Sequence, residues 1–425
     1  MRVLETVRTS LRLPGLRKRL LFTALMLAVL RIGANVPVPG IDPDVVQGLF
    51  NQGGLLRLVD LFSGGAFASV AIFALNVTPY INSSIIVQLL TVVIPRWEEM
   101  HKEGIEGRKK LQQYTRYGTV ILAIVQAFGT ALYLKNSGGL VPNSWWTLAM
   151  ILISLTAGSV MMMWIGELIT EKGIGNGISL IIFAGIVSRI PVAVRSIVNM
   201  LQVNALKWYQ VLLTLIIGVV LIFLVVLVTE AVRKIPVEYT KRVQGRRIYG
   251  GQRTFLPLKI NQAGVIPVIF AQSLLYLPMT IATYFPNHKF AQFVAKYLTW
   301  ASPWFWVLNF LFIIFFTYFY TAVTFNPDEV AENMKKNGGF IPGYRPGKPT
   351  AEFLARVSNR LTFVGSIFLA SLTVAPILII KITGVDDAYL GGTALLIVVG
   401  VALETAKQIE AQLVIRHYQG FMRSE

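Results

Sequence analysis

Ten apolar runs recur along this chain, and they constrain its fold more than any other feature. Most are about 17–23 residues long, the length that spans a hydrocarbon core of about 30 Å. Backbone polar groups find no water in lipid, and a helix satisfies them internally. We therefore predict an all-α multi-pass membrane protein with ten transmembrane helices, over residues 20–36, 67–94 (a compound segment), 117–134, 146–165, 178–198, 209–229, 263–285, 304–325, 361–380 and 389–406.

The basic residues predict the orientation of these helices. With ten crossings, both termini lie on one side, together with the connections near 95–116, 166–177, 232–260 and 328–360. That side carries thirty of the 39 Lys and Arg residues. Basic residues accumulate in cytoplasmic loops. We predict that both termini are cytoplasmic and that the first apolar run, which lacks a small-residue cleavage site, is retained as a helix.

One compound segment is broken in a way that indicates an aqueous path. Asp60–Ser69 is a short apolar piece interrupted by Gly64 and Gly65, and it leads into a helix interrupted by Pro79. Irregular backbone at membrane depth is tolerated only inside protein or against a water-filled cavity. The segment therefore predicts a path through the membrane and an element that occupies it.

Ten helices divide into two sets of five, which predicts two inverted halves, 1–205 and 206–425. Since five is odd, halves of one fold must be related by an axis in the membrane plane. The second helix of each set is interrupted, by Pro79 in the first half and by Pro278 in the second, where Ile260–Pro267 opens the helix. Paired interruptions of this kind point to the functional site. The alternative is that Pro and Gly are simply frequent in membrane helices.

The membrane interior lacks the groups that ion-coupled transport and catalysis need. Glu167, Glu171, Lys172, Glu230 and Glu404 lie at helix ends, and Arg31 and Arg189 can reach an interface. Asn, Gln, Ser and Thr side chains cannot shuttle protons at neutral pH. The chain has no cysteine, and its three histidines share no ligand spacing. We predict no metal site, no cofactor and no enzymatic activity; a solute transporter with inverted repeats is the alternative function.

Aliphatic residues recur at helical spacing in the same segments. Val77 and Ile81, and likewise Ile178 and Ile182, are four residues apart and share a helix face. From spacing alone we favour ordinary packing or lipid contact for any one pair. A hydrophobic constriction that blocks ions by dewetting is the other explanation.

Long motifs resemble the SecY family, the central subunits of the bacterial protein-conducting channel. They lie in the expected order along nearly the whole chain: Ile32–Ile41, Asp60–Gly65, Thr78–Leu90, Gly166–Ser179, Gly245–Arg247 and Gly338–Gly347. The resemblance implies a passive channel in the bacterial plasma membrane. It would pass unfolded preproteins, with their signal peptides, across the membrane and release transmembrane segments laterally into lipid.

The resemblance also implies a role for particular residues. A short plug helix at about 57–73, including Asp60, Leu61, Phe62, Ser63, Gly64, Gly65 and Phe67, would close a central pore between the two halves. The pore ring would consist of Val77, Ile81, Ile178, Ile182, Ile269 and Ile397. With the resemblance in hand, packing becomes the less favoured explanation of these aliphatic residues. Asn82, Gln88 and Leu277 would face a lateral gate.

Two basic cytoplasmic loops imply docking partners. SecY-like proteins use such loops to bind the ribosome, through phosphates of its RNA, and the motor ATPase SecA. The docking residues would be Lys241, Arg246, Arg247 and Arg345. Topology and attraction to anionic lipids account well for the charge, but less well for the length of the two loops and for the Gly-Arg-Arg and Pro-Gly-Tyr-Arg-Pro-Gly turns. The small membrane subunits SecE and SecG are the remaining implied partners. The Gly173–Gly177 run predicts a tight turn, not a phosphate loop.

Overall fold

The structure is a computed structural model in which most of the chain adopts helices. It describes residues 13–42, 45–46, 48, 70–142, 144–239, 242–244, 247–249, 253–284, 288–299, 302–383 and 392–421. In the first half of the chain the helices are α1 (Pro14–Gly33), α2 (Thr78–Val93), α3 (Pro95–Lys102), α4 (Ile105–Asn136), α5 (Trp145–Lys172), α6 (Gly177–Val187) and α7 (Ile190–Gln202). In the second half they are α8 (Trp208–Glu230), α9 (Ile266–Tyr284), α10 (Lys289–Tyr297), α11 (Pro303–Thr324), α12 (Pro327–Lys336), α13 (Lys348–Thr383) and α14 (Gly392–Phe421).

Each of the ten predicted runs contains helix, although the run at 67–94 is helical only from Thr78 among its described residues. Among the described residues, seven helical segments are long and apolar enough to cross a membrane, with α6 and α7 counted as one and α11 and α12 counted as one. An eighth is reached if α2 and α3, which meet at a bend of 101°, are counted together. The apolar part of α9 is shorter, and α1 carries four basic residues. The multi-pass helical class is confirmed, and a count of ten is consistent with these helices.

The chain forms two compact units. The first comprises Met1–Lys207, Gln272–Phe305 and Ile397–Glu425, and the second comprises Trp208–Ala271 and Trp306–Leu396. The predicted halves, 1–205 and 206–425, are halves related by an inverted symmetry. The two compact units are defined by contacts within the chain and do not test that symmetry. The two inverted halves stay a prediction.

In the first unit, an irregular segment at 70–77 is buried among helices. Its backbone pairs with the segment after α1, because the Val38 N–H donates to Val70 O at 3.0 Å and the Ile72 N–H donates to Val36 O at 3.0 Å. Apolar side chains of this segment, of α4 and of α5 form one core, which includes Val70, Ala74, Leu75, Ala127, Ala131, Ile151 and Leu155. Irregular backbone at 70–77 therefore lies inside protein, whereas the predicted broken piece at 60–69 lies outside the described residues.

Glycine permits the close approach of this segment to α5. A Cβ at Gly158 would overlap the carbonyl oxygen of Ile72. Backbone atoms cannot swing aside as a flexible side chain can. Only a residue without a side chain therefore lets residues 70–77 lie directly against α5.

In the second unit, the two basic loops are joined by a small antiparallel sheet. Strands β1 (Val232–Tyr239), β2 (Arg242–Gln244), β3 (Arg247–Tyr249), β4 (Arg253–Lys259) and β5 (Gly339–Phe340) follow one another along the chain. β1 lies between β4 and β5, with Glu238 opposite both Arg253 and Phe340. β2 and β3 form a separate two-stranded ribbon. The prediction of an all-helical chain did not include this sheet.

Apolar side chains on one face of the sheet hold it against helices. Ile235 and Val237 alternate with exposed residues along β1, and they pack with Leu258, Met334, Leu354 and Val357. Residues two apart on a strand share a face. This short alternation of apolar and polar residues is the one feature of the sequence that could have predicted β1. The many basic residues of the loop drew the prediction toward its charge instead.

Candidate functional site

The start of α2 carries the first pair of predicted ring residues. Asn76 has a φ of 53°, and this left-handed turn leads directly into the helix, where Pro79 lies in the first turn. The Ile81 N–H donates to Val77 O at 3.0 Å, so the two side chains lie one helical turn apart. Both are buried within the chain. The irregular segment and the first turn of α2 therefore form one continuous buried element.

The second predicted pair lies on α6, just after a tight turn. Asn176 caps this helix, since its Oδ1 accepts a hydrogen bond from the Ser179 N–H at 3.2 Å. Ile182 is buried, whereas Ile178 is half-buried and its Cδ1 lies against Gly166 of α5. A Cβ at Gly177 would overlap the backbone of Gly166, so glycine lets α6 begin directly beside α5.

The remaining two predicted ring residues lie on different units. Ile397 is fully buried on α14, within the first unit, and Ile269 is half-buried on α9, within the second. Five of the six residues therefore belong to one compact unit. The ring itself stays a prediction.

The predicted lateral-gate residues lie on α2 and α9. Asn82 is buried, one position after Ile81. Gln88 is half-buried, and its Nε2 donates to Ser84 Oγ at 3.2 Å, one turn earlier. Leu277 is half-buried beside Pro278, which lies inside α9. All three residues belong to the first unit.

Two polar contacts join α4 to its neighbours. The Ser83 hydroxyl on α2 donates to the carbonyl of Thr115 at 2.7 Å, and Gly118 leaves room for that hydroxyl. Arg116 forms a bidentate pair with Glu167 of α5, with both N–O distances at 2.9 Å. Helices α2, α4 and α5 are therefore joined by polar contacts as well as by packing.

A turn that joins α5 to α6 is held by two helices that are distant in the sequence. The Ile174 N–H donates to Thr23 Oγ1 of α1 at 3.1 Å, and the Gly175 N–H donates to Gln408 Oε1 of α14 at 2.8 Å. Within the turn, the Gly177 N–H donates to Thr170 Oγ1 at 2.9 Å. The prediction of a tight turn is confirmed. Thr23 and Gln408 were not predicted, because single polar residues near helix ends have no distinctive pattern.

The predicted docking and plug residues are only partly described. Arg345 is exposed in the loop after β5, and its carbonyl accepts a hydrogen bond from the Thr350 hydroxyl at 2.7 Å. Arg247 begins β3. Lys241 and Arg246 lie outside the described residues, and so do Asp60, Leu61, Phe62, Ser63, Gly64, Gly65 and Phe67.

Comparisons with known proteins agree on one family. A family model named SecY matches residues 71–406. The chain is 46% identical over 431 residues to the protein translocase subunit SecY of Streptomyces scabiei, and the match covers 97% of this chain and 98% of that protein.

Solved structures show the same fold. The solved structure of a protein-conducting channel matches this chain with a TM-score of 0.66 at 20% identity. The match covers 94% of this chain and 93% of the channel chain. The Sec61 chain of a canine ribosome–channel complex from the endoplasmic reticulum has a TM-score of 0.62 at 19% identity and covers 94% and 93%. These matches confirm the resemblance carried by the motifs. They do not support the solute transporter, and they place the chain among channel subunits, which are not enzymes.

Proposed function

The chain belongs to the SecY family and is the channel subunit of a protein translocase, and from this premise we propose which of its residues form the pore, its seal and its docking surface. The observation that supports the pore is the buried irregular segment at 70–77, which leads directly into α2. Val77 and Ile81 lie at this junction. A channel needs its narrowest point there, where a small number of side chains can close it.

We propose that the ring of Val77, Ile81, Ile178, Ile182, Ile269 and Ile397 forms this constriction. Aliphatic side chains offer no partner to a hydrated ion, so a narrow apolar ring excludes ions by dewetting. The same side chains make no specific hydrogen bonds to a passing chain. An extended polypeptide can therefore part them, and they can close again by apolar contact once it has left.

The seal on the side opposite the basic loops is assigned to a plug at about 57–73. This piece contains Gly64 and Gly65, and its last residues, 70–73, belong to the buried segment at 70–77. The lateral gate is assigned to Asn82 and Gln88 on α2 and to Leu277 on α9. A passing segment of about 20 apolar residues prefers lipid and leaves through such a gate, whereas a polar segment stays in the channel.

The docking surface is assigned to the two basic loops, with Lys241, Arg246, Arg247 and Arg345 as its phosphate- and carboxylate-binding residues. The pairing of β1 with β5 supports this assignment, because it joins both loops in one sheet. A related channel, canine Sec61, has been solved in a ribosome–channel complex. For this chain we propose the ribosome and SecA as docking partners, SecE and SecG as membrane subunits, and anionic lipids as the surrounding surface.

The proposed location is the bacterial plasma membrane, with both termini in the cytoplasm. The excess of Lys and Arg on the side of the β1–β4 sheet supports this orientation. The channel supplies a path, and the energy comes from ATP hydrolysis by SecA or from chain elongation by the ribosome.

The direct test is reconstitution of the purified complex in liposomes with SecA, ATP and a signal-bearing preprotein. We expect protease-protected preprotein to accumulate only when all components are present. A folded complex that yields no protected preprotein would contradict the channel mechanism.

The plug has its own test in the same vesicles. Deletion of residues 60–70 should raise the ion leak and leave translocation largely intact. An unchanged leak would remove the plug assignment and leave the channel function standing.

A further inference from the structure

A short helix, α10, connects the two membrane helices α9 and α11. α9 begins after β4 and is about 28 Å long at 1.5 Å per residue, close to the thickness of a hydrocarbon core of about 30 Å. Only residues 285–288 separate it from α9, and residues 298–302 separate it from α11. A chain extends at most about 3.6 Å per residue, so these short connections keep α10 close to the membrane surface.

The side chains of α10 divide it into three faces. Ala291 and Val294, three residues apart, are buried against the protein. Phe290, Phe293 and Tyr297 share a second face, since residues at i, i+3 and i+7 lie on one side of a helix. The third face is polar and exposed, and it consists of Lys289, Gln292 and Lys296. At 100° per residue, the aromatic face lies between the buried face and the lysine face.

The aromatic face is exposed within the chain. Phe290 is 44% exposed and Phe293 is 57% exposed. The rings of Phe293 and Tyr297 lie 4.9 Å apart, and Lys296 Nζ lies 5.3 Å from the centre of the Tyr297 ring. Two exposed phenylalanines on nine residues are unfavourable in water, because their apolar surface gains nothing from solvent. This face therefore requires an apolar medium beside it.

The nearest apolar medium is the lipid that surrounds the neighbouring helices. Trp304, in the first turn of α11, is 60% exposed. Tryptophan and tyrosine concentrate at the boundary between headgroups and acyl chains. The aromatic face of α10 is thus next in sequence to a residue that is typical of that boundary. A defined cap also fixes the helix, since His288 Nδ1 accepts a hydrogen bond from the Phe290 N–H at 3.2 Å.

We propose that α10 is an interfacial anchor that binds the phospholipid surface at the C-terminal end of α9. Its aromatic face lies at the boundary of headgroups and acyl chains, and Lys289 and Lys296 contact lipid phosphates. An aromatic face flanked by lysines is the arrangement by which amphipathic helices lie in a membrane surface. The anchor fixes the end of α9, the helix that carries Leu277.

The test uses the absence of cysteine from the chain. Phe293→Cys and Gln292→Cys each provide a single labelling site without any other substitution. A nitroxide is attached at each site in the purified complex, which is reconstituted in vesicles of neutral and anionic phospholipid. Its collisions with oxygen, which concentrates in lipid, are compared with its collisions with a water-soluble nickel complex.

At Phe293 we expect the accessibility to oxygen to exceed that to nickel, and at Gln292 we expect the reverse. Phe290→Cys serves as a second aromatic position if labelling at 293 disturbs the helix, and preprotein translocation by each labelled complex shows that it is folded. Nickel accessibility as high at 290 and 293 as at 292 would overturn the proposal. So would protection of the aromatic face only after a soluble protein is added, since the face would then bind protein and not lipid.

Discussion

The side chain of Gln408 on α14 accepts a hydrogen bond at 2.8 Å from the backbone N–H of Gly175, in the turn between α5 and α6. Ile182 lies in the second turn of α6, and Ile397 lies three turns before Gln408 on α14. One hydrogen bond thus links α14, which carries Ile397, to the turn that leads into the helix of Ile182. The relative placement of these two proposed ring residues therefore depends on a contact outside the ring.

Gln408→Leu should destabilise the complex by about 0.5–1.5 kcal/mol, because the Gly175 N–H loses its partner while the size of the side chain is kept. The measurement is the midpoint of thermal unfolding of the purified complex. Gln412→Leu removes a matching amide one turn further along α14 and serves as the control. Equal shifts in both variants would contradict a specific role for the Gln408–Gly175 bond.

Ile182→Ala should raise the ion leak of reconstituted vesicles, because it widens the proposed ring. Ile181→Ala removes the same atoms from the neighbouring position of α6, which is buried to a similar extent at 4% exposed against 3%. Both variants should lose about 2–5 kcal/mol of stability. A leak of equal size in the two variants would show that loosened packing, and not the ring, controls ion flow.

Gly158→Ala should destabilise the first unit by about 1–3 kcal/mol or more, because the new methyl group overlaps the backbone of Ile72. The change should also displace Val77 and increase the ion leak. Unfolding midpoints and vesicle leak are measured together. Gly48→Ala is the control, since a Cβ there meets no atom within 4 Å. If the two variants behave alike, the close approach at Gly158 is not required.

The Arg116–Glu167 pair should show a coupling free energy of about 0.5–3 kcal/mol in a double-mutant cycle with Arg116→Met and Glu167→Gln. Glu167 is largely buried, and the pair is bidentate. The exposed pair Lys102–Glu98 on α3 is the matched control, with an expected coupling of about 0.3–0.5 kcal/mol. Similar couplings in both pairs would mean that burial adds nothing at Glu167.

Arg345→Glu should weaken ribosome binding and should reduce the slope of log affinity against log salt by about 1, the effect of losing one phosphate contact. Arg356→Glu makes the same change of charge at an exposed position of α13. Binding of ribosomes to vesicles is measured over a range of salt concentrations. Equal losses in both variants would favour general electrostatic attraction over a specific docking residue.

The membrane helices were predictable, because a run of apolar residues of the right length has few alternatives in lipid. Contacts between distant residues were not. Thr23 and Ile174 are 151 positions apart, and Gly175 and Gln408 are 233 apart, so no local pattern reports their meeting. The turn at Gly173–Gly177 was predictable from its glycines, but its two partners were not.

The sheet was missed for a different reason. Val232–Tyr239 is short and rich in charge, and its alternation of buried and exposed residues becomes meaningful only when a helix covers one face. The small aromatic helix α10 was missed because an interfacial helix is too short to register as a crossing. Both elements depend on a neighbouring surface that the local sequence does not specify.

Pairing of β1 with β5 has a mechanical consequence. One residue, Ala231, separates the end of α8 from β1, and its carbonyl accepts a hydrogen bond from the Ile260 N–H at 3.0 Å. The end of the sheet next to α8 is therefore held firmly. At its other end, β1 pairs with β5, which leads into the loop before α13. A load applied to either loop is shared by both, and it reaches the membrane helices as a torque at the end of α8.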